Sequence, residues 1–351
     1  MRILFLNPEQ YVSFEEEPSN YELRLPILNC GAVTAHRDYV YQRVLRTEGR
    51  KVMNAGVLRE AIEFRPDLIV YSTSWPHEAI DSEILDRIMR QGIPVFTHVW
   101  DTHLQREPHE LDWFLHCTYF GVADSVTNYR RYRALAETER SPWLRDVIFC
   151  AGNNVFTDVI RPESRLQEYD VTLLGSCEGQ RVELVQQLGT TLARHGIIFQ
   201  RCGGLINRSA QPMPHRSAQW MPIAQYVEVI NRSKICISSQ TLPTRRQIKG
   251  KVFHYLAGGA FCLTDSNPEL RSLIPDGCVV YYESAADCIE KIRYYLVHDE
   301  ERRRIAQLGH RWFCETFDYK TFWSQFLHAV RRGETNPSVL RCLSTLHGPT
   351  R

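Results

Sequence analysis

Short apolar runs alternate with amphipathic segments along most of the chain. Residues 3–6 read as a first strand and residues 68–71 as another, entered from Arg65-Pro66-Asp67. Residues 93–100 read as a third strand, entered from the helix-stop pair Gln91-Gly92. Between the last two, residues 81–90 carry Ile84, Leu85, Ile88 and Met89 at the spacing of one helix face. Strand–helix–strand units of this kind predict a parallel sheet wrapped by helices.

A second series begins near Tyr169. The run 171–174 ends at Gly175-Ser176, and residues 181–195 then place Leu184, Val185, Leu188 and Leu192 on one helical face before Gly196 closes the pattern. Residues 197–199, 235–237, 260–263 and 279–282 read as further strands, with helices over 226–232, 285–298 and 300–317. A last amphipathic helix spans 320–331, and a polar tail follows over 333–351. Turn chemistry at Asn153-Asn154 and Arg161-Pro162-Glu163-Ser164 puts a seam at about 152–168. The expected organisation is an α/β domain over 1–160, a second over 161–317, a terminal helix over 318–332 and the tail over 333–351.

Length agrees with two domains, because 351 residues exceed what one core usually encloses. A hydrophobic share of 43% with 24% charged residues is that of a soluble globular chain, and a net charge of +1 gives no overall field toward nucleic acid or an anionic membrane. The eleven cysteines are scattered singly, without C-x-x-C pairs, so a structural zinc site is not expected and a reducing, cytoplasmic setting is. The N-terminal apolar run stops at Asn7-Pro8, too short for a secretory leader, and no stretch has the length of a membrane span.

Three constellations carry chemistry. The first is residues 244–265, where Arg245, Arg246, Lys249 and Lys251 precede a short helical pattern that ends at Gly258-Gly259 and leads into a buried run. Cations at a helix N-terminus suit a polyphosphate, since fixed charge and unpaired N–H groups converge on the anion. Lys251, His254 and Gly258 fall on one helical face, and Ser239-Gln240 follow the preceding strand at its carboxyl end. A solvated basic loop before a core helix is the competing reading. The second is Gly175-Ser176 with Arg181, a strand–turn–helix junction whose N–H groups suit a phosphate but which is common in doubly wound domains. The third is Asp101 with His103, beside Trp100 at a strand end, able to position an acceptor hydroxyl or handle its proton, or else to cap the next helix. Arg130, Arg131, Tyr132 and Arg133 suit nucleic acid less well than a solvated helix face.

The run from Gln247 through Lys249, Lys251 and His254, with Gly258-Gly259-Ala260-Phe261, Leu263-Thr264-Asp265 and Pro268-Glu269-Leu270, resembles the donor region of GT-B glycosyltransferases, most closely the CgeB-like group of "glycosyl transferases group 1". That resemblance implies two Rossmann-like domains facing across a cleft, with the last helix crossing back to the first. It implies a retaining transfer from a nucleoside-diphosphate sugar, expected to be a UDP-sugar, without a metal or other cofactor. Arg181, Lys249, Lys251, Gly175 and Ser176 would bind the diphosphate. His254, Ser239, Gln240, Gly258, Gly259 and Glu269 would bind nucleoside and sugar, and Asp101 and His103 would act on the acceptor. The family usually has an acidic residue where His254 stands and often an arginine where Lys251 stands; imidazole accepts one hydrogen bond, and lysine lacks the bidentate fork. The alternatives are a degenerate nucleotide-binding or scaffold protein and a nucleic-acid-modifying glycosyltransferase. The acceptor is not specified, and a homodimer is left open.

Overall fold

The computed structural model describes residues 1–9, 13–102, 108–139, 141–159, 167–175, 177, 179–202, 222–240 and 247–334. His103, Ser176, Arg161, Gly203, Gly204, Arg245 and Arg246 lie outside the described residues, as does the tail beyond 334. The chain divides into two compact units, Met1–Val155 with Phe317–Arg351, and Phe156–Thr316.

The first unit is built on six parallel strands: β1 (Arg2–Asn7), β2 (Ala35–Val40), β3 (Leu68–Ser72), β4 (Val95–Val99), β5 (Tyr119–Val122) and β6 (Asp146–Phe149). Their order is β2-β1-β3-β4-β5-β6. Ile3, Leu4, Phe5 and Leu6 are all buried, as continuous apolar runs in a sheet covered on both faces should be. The edge strand β2 has the sequence AHRDYV and only partial burial, so neither period 2 nor apolar content announces it. β5 and β6 are four residues each, too short for a periodicity argument.

The second unit has five parallel strands: β7 (Tyr169–Leu174), β8 (Phe199–Cys202), β9 (Ser233–Ser238), β10 (Phe261–Asp265) and β11 (Val280–Tyr282), in the order β11-β10-β9-β7-β8. Val171, Leu173, Ile235, Ile237, Phe261 and Leu263 share one core with Leu188 and Leu192 of the helix Gln180–Arg194. Both units are therefore Rossmann-like parallel α/β structures, the fold class expected from the alternation of elements. Each sheet reverses its winding direction once, between β1 and β3 and between β7 and β9. Ligands of such sheets bind beyond the carboxyl ends of the strands at that point.

The terminal helix Tyr319–Arg332 belongs to the first unit. Asp318 caps it, accepting from the N–H groups of Lys320 and Thr321 at 3.1 and 3.2 Å, and Gly333 ends it in the left-handed region at φ 68°. Trp323 is fully buried, donates Nε1–H to the Asn153 carbonyl at 2.9 Å and meets Phe96 at 5.8 Å between ring centroids. Among the described residues no helix is long and apolar enough to cross a membrane.

Candidate functional site

At the switch point of the second sheet, β7 runs out at Leu174 and Gly175 turns the chain with φ +102°. Two observations favour glycine there. The φ is one L-residues avoid, and a Cβ would lie 2.5 Å from Lys251 Nζ. That ammonium is drawn under the turn and donates to the Leu174 carbonyl at 2.6 Å. Lys251 stands in the first turn of the helix Gly250–Ala257, which Lys249 caps with extended backbone and no side-chain bond. Lys249 Nζ donates to Gln247 Oε1 at 2.5 Å.

Arg181 comes from the opening turn of Gln180–Arg194 and is 3% exposed. Its Nε donates to the Ser239 carbonyl at 2.8 Å and to Ser239 Oγ at 3.1 Å, and Nη2 shares the same carbonyl. The guanidinium thus ties the first helix of the unit to the carboxyl end of β9. Gln180 Nε2 adds a bond to the Gln240 carbonyl at 3.1 Å. Gln240 in turn donates its N–H to Asp265 Oδ2 at 2.6 Å and its side-chain amide to the Gln247 carbonyl at 2.7 Å. Ser238 Oγ and Gln240 Oε1 are buried at this strand end and have no hydrogen-bond partner among the described residues.

Charge is concentrated here. Burial and the nearby charges of Arg181 and Lys249 hold the Lys251 pKa well below the ordinary lysine value, and Asp265 alone opposes them. Burial raises the Asp265 carboxyl despite the Gln240 N–H and the two cations Arg181 and Lys249. Three cations against one partly neutralised carboxylate make an anion site whose ammonium gains most when a dianion arrives.

Other residues expected at the site have their own neighbours. His254 is 6% exposed; its ring stacks on Phe156 at 3.8 Å and 27°, and its Nδ1 lies 2.9 Å from the Tyr226 hydroxyl. Gly258 ends the helix and Gly259 follows at φ +59°. Asn267 caps the helix Pro268–Leu273 by accepting from the Glu269 N–H at 2.9 Å, and Glu269 is 7% exposed. Asp265 and Gln247 were not singled out as site residues by their positions. The Thr-Asp that ends β10 was the signal for Asp265; nothing local marks Gln247.

In the first unit Asp101 is exposed just beyond β4, next to Trp100, whose Nε1 donates to Ser72 Oγ at 3.1 Å. Thr102 is buried and donates through N–H and Oγ1 to Asp124 at 2.9 and 2.6 Å. His98, set inside an apolar run, is 2% exposed, 4.2 Å from the Trp100 ring between centroids, with its pKa held down to about 3 by burial. In the basic segment 130–133, Tyr132 is fully buried against Phe114 and Phe120, and Arg133 pairs with Asp146 at 3.1 Å. Its one aromatic is therefore not available to stack on a base. Among the described residues no cluster of His, Cys, Asp or Glu has a metal-binding arrangement.

The chain shares its fold with solved structures at low sequence identity. The Anabaena protein HepE, solved in complex with UDP and glucose, is 13% identical, with 95% of this chain and 100% of that chain covered at a TM-score of 0.58. A putative UDP-N-acetylglucosamine 2-epimerase from Listeria monocytogenes is 9% identical, with coverage of 96% and 98% and a TM-score of 0.59. Sucrose-phosphate synthase from Thermosynechococcus elongatus is 12% identical, with coverage of 86% and 82% and a TM-score of 0.55. No curated protein matches the chain in sequence. Residues 161–328, a span that holds every second-unit residue of the site, match the family of glycosyl transferase-like proteins.

Proposed function

We propose that the protein is a GT-B glycosyltransferase that takes a nucleoside-diphosphate sugar as donor, a UDP-sugar first among them, and binds its diphosphate through Arg181, Lys249 and Lys251. The observation that carries this reading is the convergence of those three cations on the switch point of the second sheet, with Lys251 held at a depressed pKa. The family match over 161–328 supports the reaction class. HepE, crystallised with UDP and glucose, supports UDP as the nucleotide. Breaking a glycosyl–phosphate bond puts charge on the departing diphosphate, and fixed cations beside a helix N-terminus stabilise that charge without reorganising. Metal-independent transfer with retention at the anomeric carbon completes the proposal; chemical-shift and coupling analysis of the product's anomeric proton would read the stereochemistry.

Titration calorimetry with UDP-, GDP-, dTDP- and ADP-sugars tests the donor assignment, and slow donor hydrolysis tests turnover. Binding to none of the four would sink the reading. Binding of one without hydrolysis or transfer to any acceptor would favour a nucleotide-binding module instead.

The electrostatics add a pH dependence. A dianion beside Lys251 raises its pKa, so binding takes up a proton between the lowered free value and the raised bound value. UDP-glucose affinity is therefore expected to fall as pH rises through that window, by at most about tenfold per pH unit for one proton. An affinity that is flat or rises across the alkaline range would contradict the role given to Lys251.

A further inference from the structure

We propose that Asp265 is the built-in counter-ion of the diphosphate site, a positioning residue whose charge loosens the nucleotide left after transfer more than the donor that arrives. The inference rests on the glycosyltransferase reading above and adds to it how the site releases its product.

Asp265 ends β10, one residue beyond the rung at which Thr264 faces Ser238 of β9. Its Oδ2 accepts from the Gln240 N–H at 2.6 Å. The carbonyl of that same peptide unit belongs to Ser239, and Arg181 Nε donates to it at 2.8 Å. One peptide is therefore held between a guanidinium at its oxygen and a carboxylate at its N–H. The framework continues from there. Gln180 Nε2 reaches the Gln240 carbonyl at 3.1 Å, and the Gln247 carbonyl accepts from Gln240 Nε2 at 2.7 Å and from Asn267 Nδ2 at 2.6 Å. Lys249, two residues after Gln247, opens the helix that carries Lys251. The carboxylate is thus fixed to the framework that positions the three cations.

The contacts of that carboxylate are the Gln240 N–H and Thr264 Oγ1, the latter at 3.4 Å, and among the described residues it forms no ion pair. Its field still reaches the cations: Lys251 feels the charge of Asp265, and Asp265 feels those of Arg181 and Lys249. Three further titratable groups feel its charge, Cys262 on β10, Tyr282 on β11 and Cys288 on the helix Ala285–Val297. Burial raises the pKa of all three, so they stay neutral and leave the cations to balance the carboxylate.

Glycosyl transfer changes the charge of the ligand. The bond from the anomeric carbon to the β-phosphate oxygen breaks and leaves its electron pair on that oxygen. Fully ionised UDP therefore carries one more charged oxygen than UDP-glucose, and cations alone would hold the product more tightly than the donor. Repulsion from a fixed carboxylate grows with the charge of the ligand, so it acts most on the product. An uncharged acceptor would serve the Gln240 N–H as well; the charge is what needs a role.

Calorimetry on the full chain with pyrophosphate, UDP and UDP-glucose compares the native protein with Asp265→Asn and Asp265→Ala. Asparagine keeps an oxygen for the Gln240 N–H and removes the charge, whereas alanine removes both. At mildly alkaline pH, Asp265→Asn is expected to tighten pyrophosphate and UDP about tenfold and UDP-glucose about threefold. The gain should shrink as pH falls, because the native carboxyl, its pKa raised by burial, takes up a proton and loses its charge. The ionisation of the ligand itself is the same in both proteins and cancels from their ratio. A purely structural cap would leave Asp265→Asn at native affinity and weaken binding only in Asp265→Ala, which overturns the proposal. An equal gain for UDP and UDP-glucose overturns it too. A gain for pyrophosphate and UDP with no sugar nucleotide bound upholds the counter-ion and sinks the donor assignment. UDP-glucose binding without any gain does the reverse, and binding of none of the three anions sinks both.

Discussion

Replacing Lys251 by methionine is expected to weaken UDP-glucose binding roughly 10- to 150-fold, the loss of one charge-assisted hydrogen bond at about 1.5–3 kcal/mol. The same substitution is expected to leave the unliganded protein as stable as before, or more stable. The two effects come from one cause. Because the folded protein lowers the Lys251 pKa, the unfolded chain binds more protons between that lowered value and the ordinary lysine value. Stability therefore rises with pH across that window and is lost as pH falls through the folded value, so at pH values below the ordinary lysine pKa the buried Lys251 amine works against folding. Methionine keeps the length and the packing and removes the charge. Set against the gain is the bond to the Leu174 carbonyl, worth about 1 kcal/mol. Calorimetry and thermal melts at neutral pH, run side by side, read both quantities. Unchanged affinity would remove Lys251 from the diphosphate site, and a steep fall in melting temperature would mean that its role is structural.

Trp323→Ala should produce the largest change in stability, about 3–5 kcal/mol, the usual loss when a buried tryptophan is truncated. Trp323 is fully buried, its Nε1–H is spent on the Asn153 carbonyl, and its ring meets Phe322 at 5.0 Å and Phe326 at 5.7 Å between centroids. The damage should be confined to the first unit. Urea unfolding should show the first unit melting early, and hydrogen exchange should show the helix Tyr319–Arg332 losing protection together with β4 and β5. UDP binding, carried by second-unit residues, should survive at denaturant concentrations that leave the second unit intact. A loss below about 1 kcal/mol, or one that spreads evenly over both units, would contradict this assignment.

The sequence was most readable where a single physical signal dominated. Mainly apolar runs identified β1, β3, β7 and β9, because strands buried on both faces carry few polar positions to confuse the pattern. The helices Ser82–Met89 and Gln180–Arg194 were legible for the opposite reason, a clean apolar face. The edge strand β2 was hidden because Arg37 and Asp38 occupy it and are satisfied by Glu60 and Arg24, partners far away in sequence. The helix Arg50–Phe64 was hidden because its apolar residues do not gather on one side.

The site shows the same division. Lys249, Lys251 and the turn at Gly175 could be picked out locally, since charge and glycine are local signals. What Lys251 does with its charge could not, because the carbonyl it reaches is on Leu174, 77 positions away. His254 drew attention as a departure from a family pattern. Its actual surroundings, Phe156 and Tyr226, come from elements 98 and 28 residues away, and no reading of spacing within one helix could supply them.

The return of the terminal helix to the first unit also bears on how the protein is made. The second unit, Phe156–Thr316, is a continuous stretch inserted between two pieces of the first, and the chain leaves and re-enters at neighbouring points, since a Cβ on Gly152 would lie 2.6 Å from the Phe317 ring. Domains generally form during synthesis in the order in which they emerge. Here that order is inverted. The first six strands are made before the helix that packs on them, so Phe96 and Tyr119 lack their contacts with Trp323 and Phe326 until that helix follows. The inserted unit can finish first while its host waits for the helix Tyr319–Arg332. A nascent chain stalled before residue 319 should therefore protect the second unit from protease and leave the first open to it.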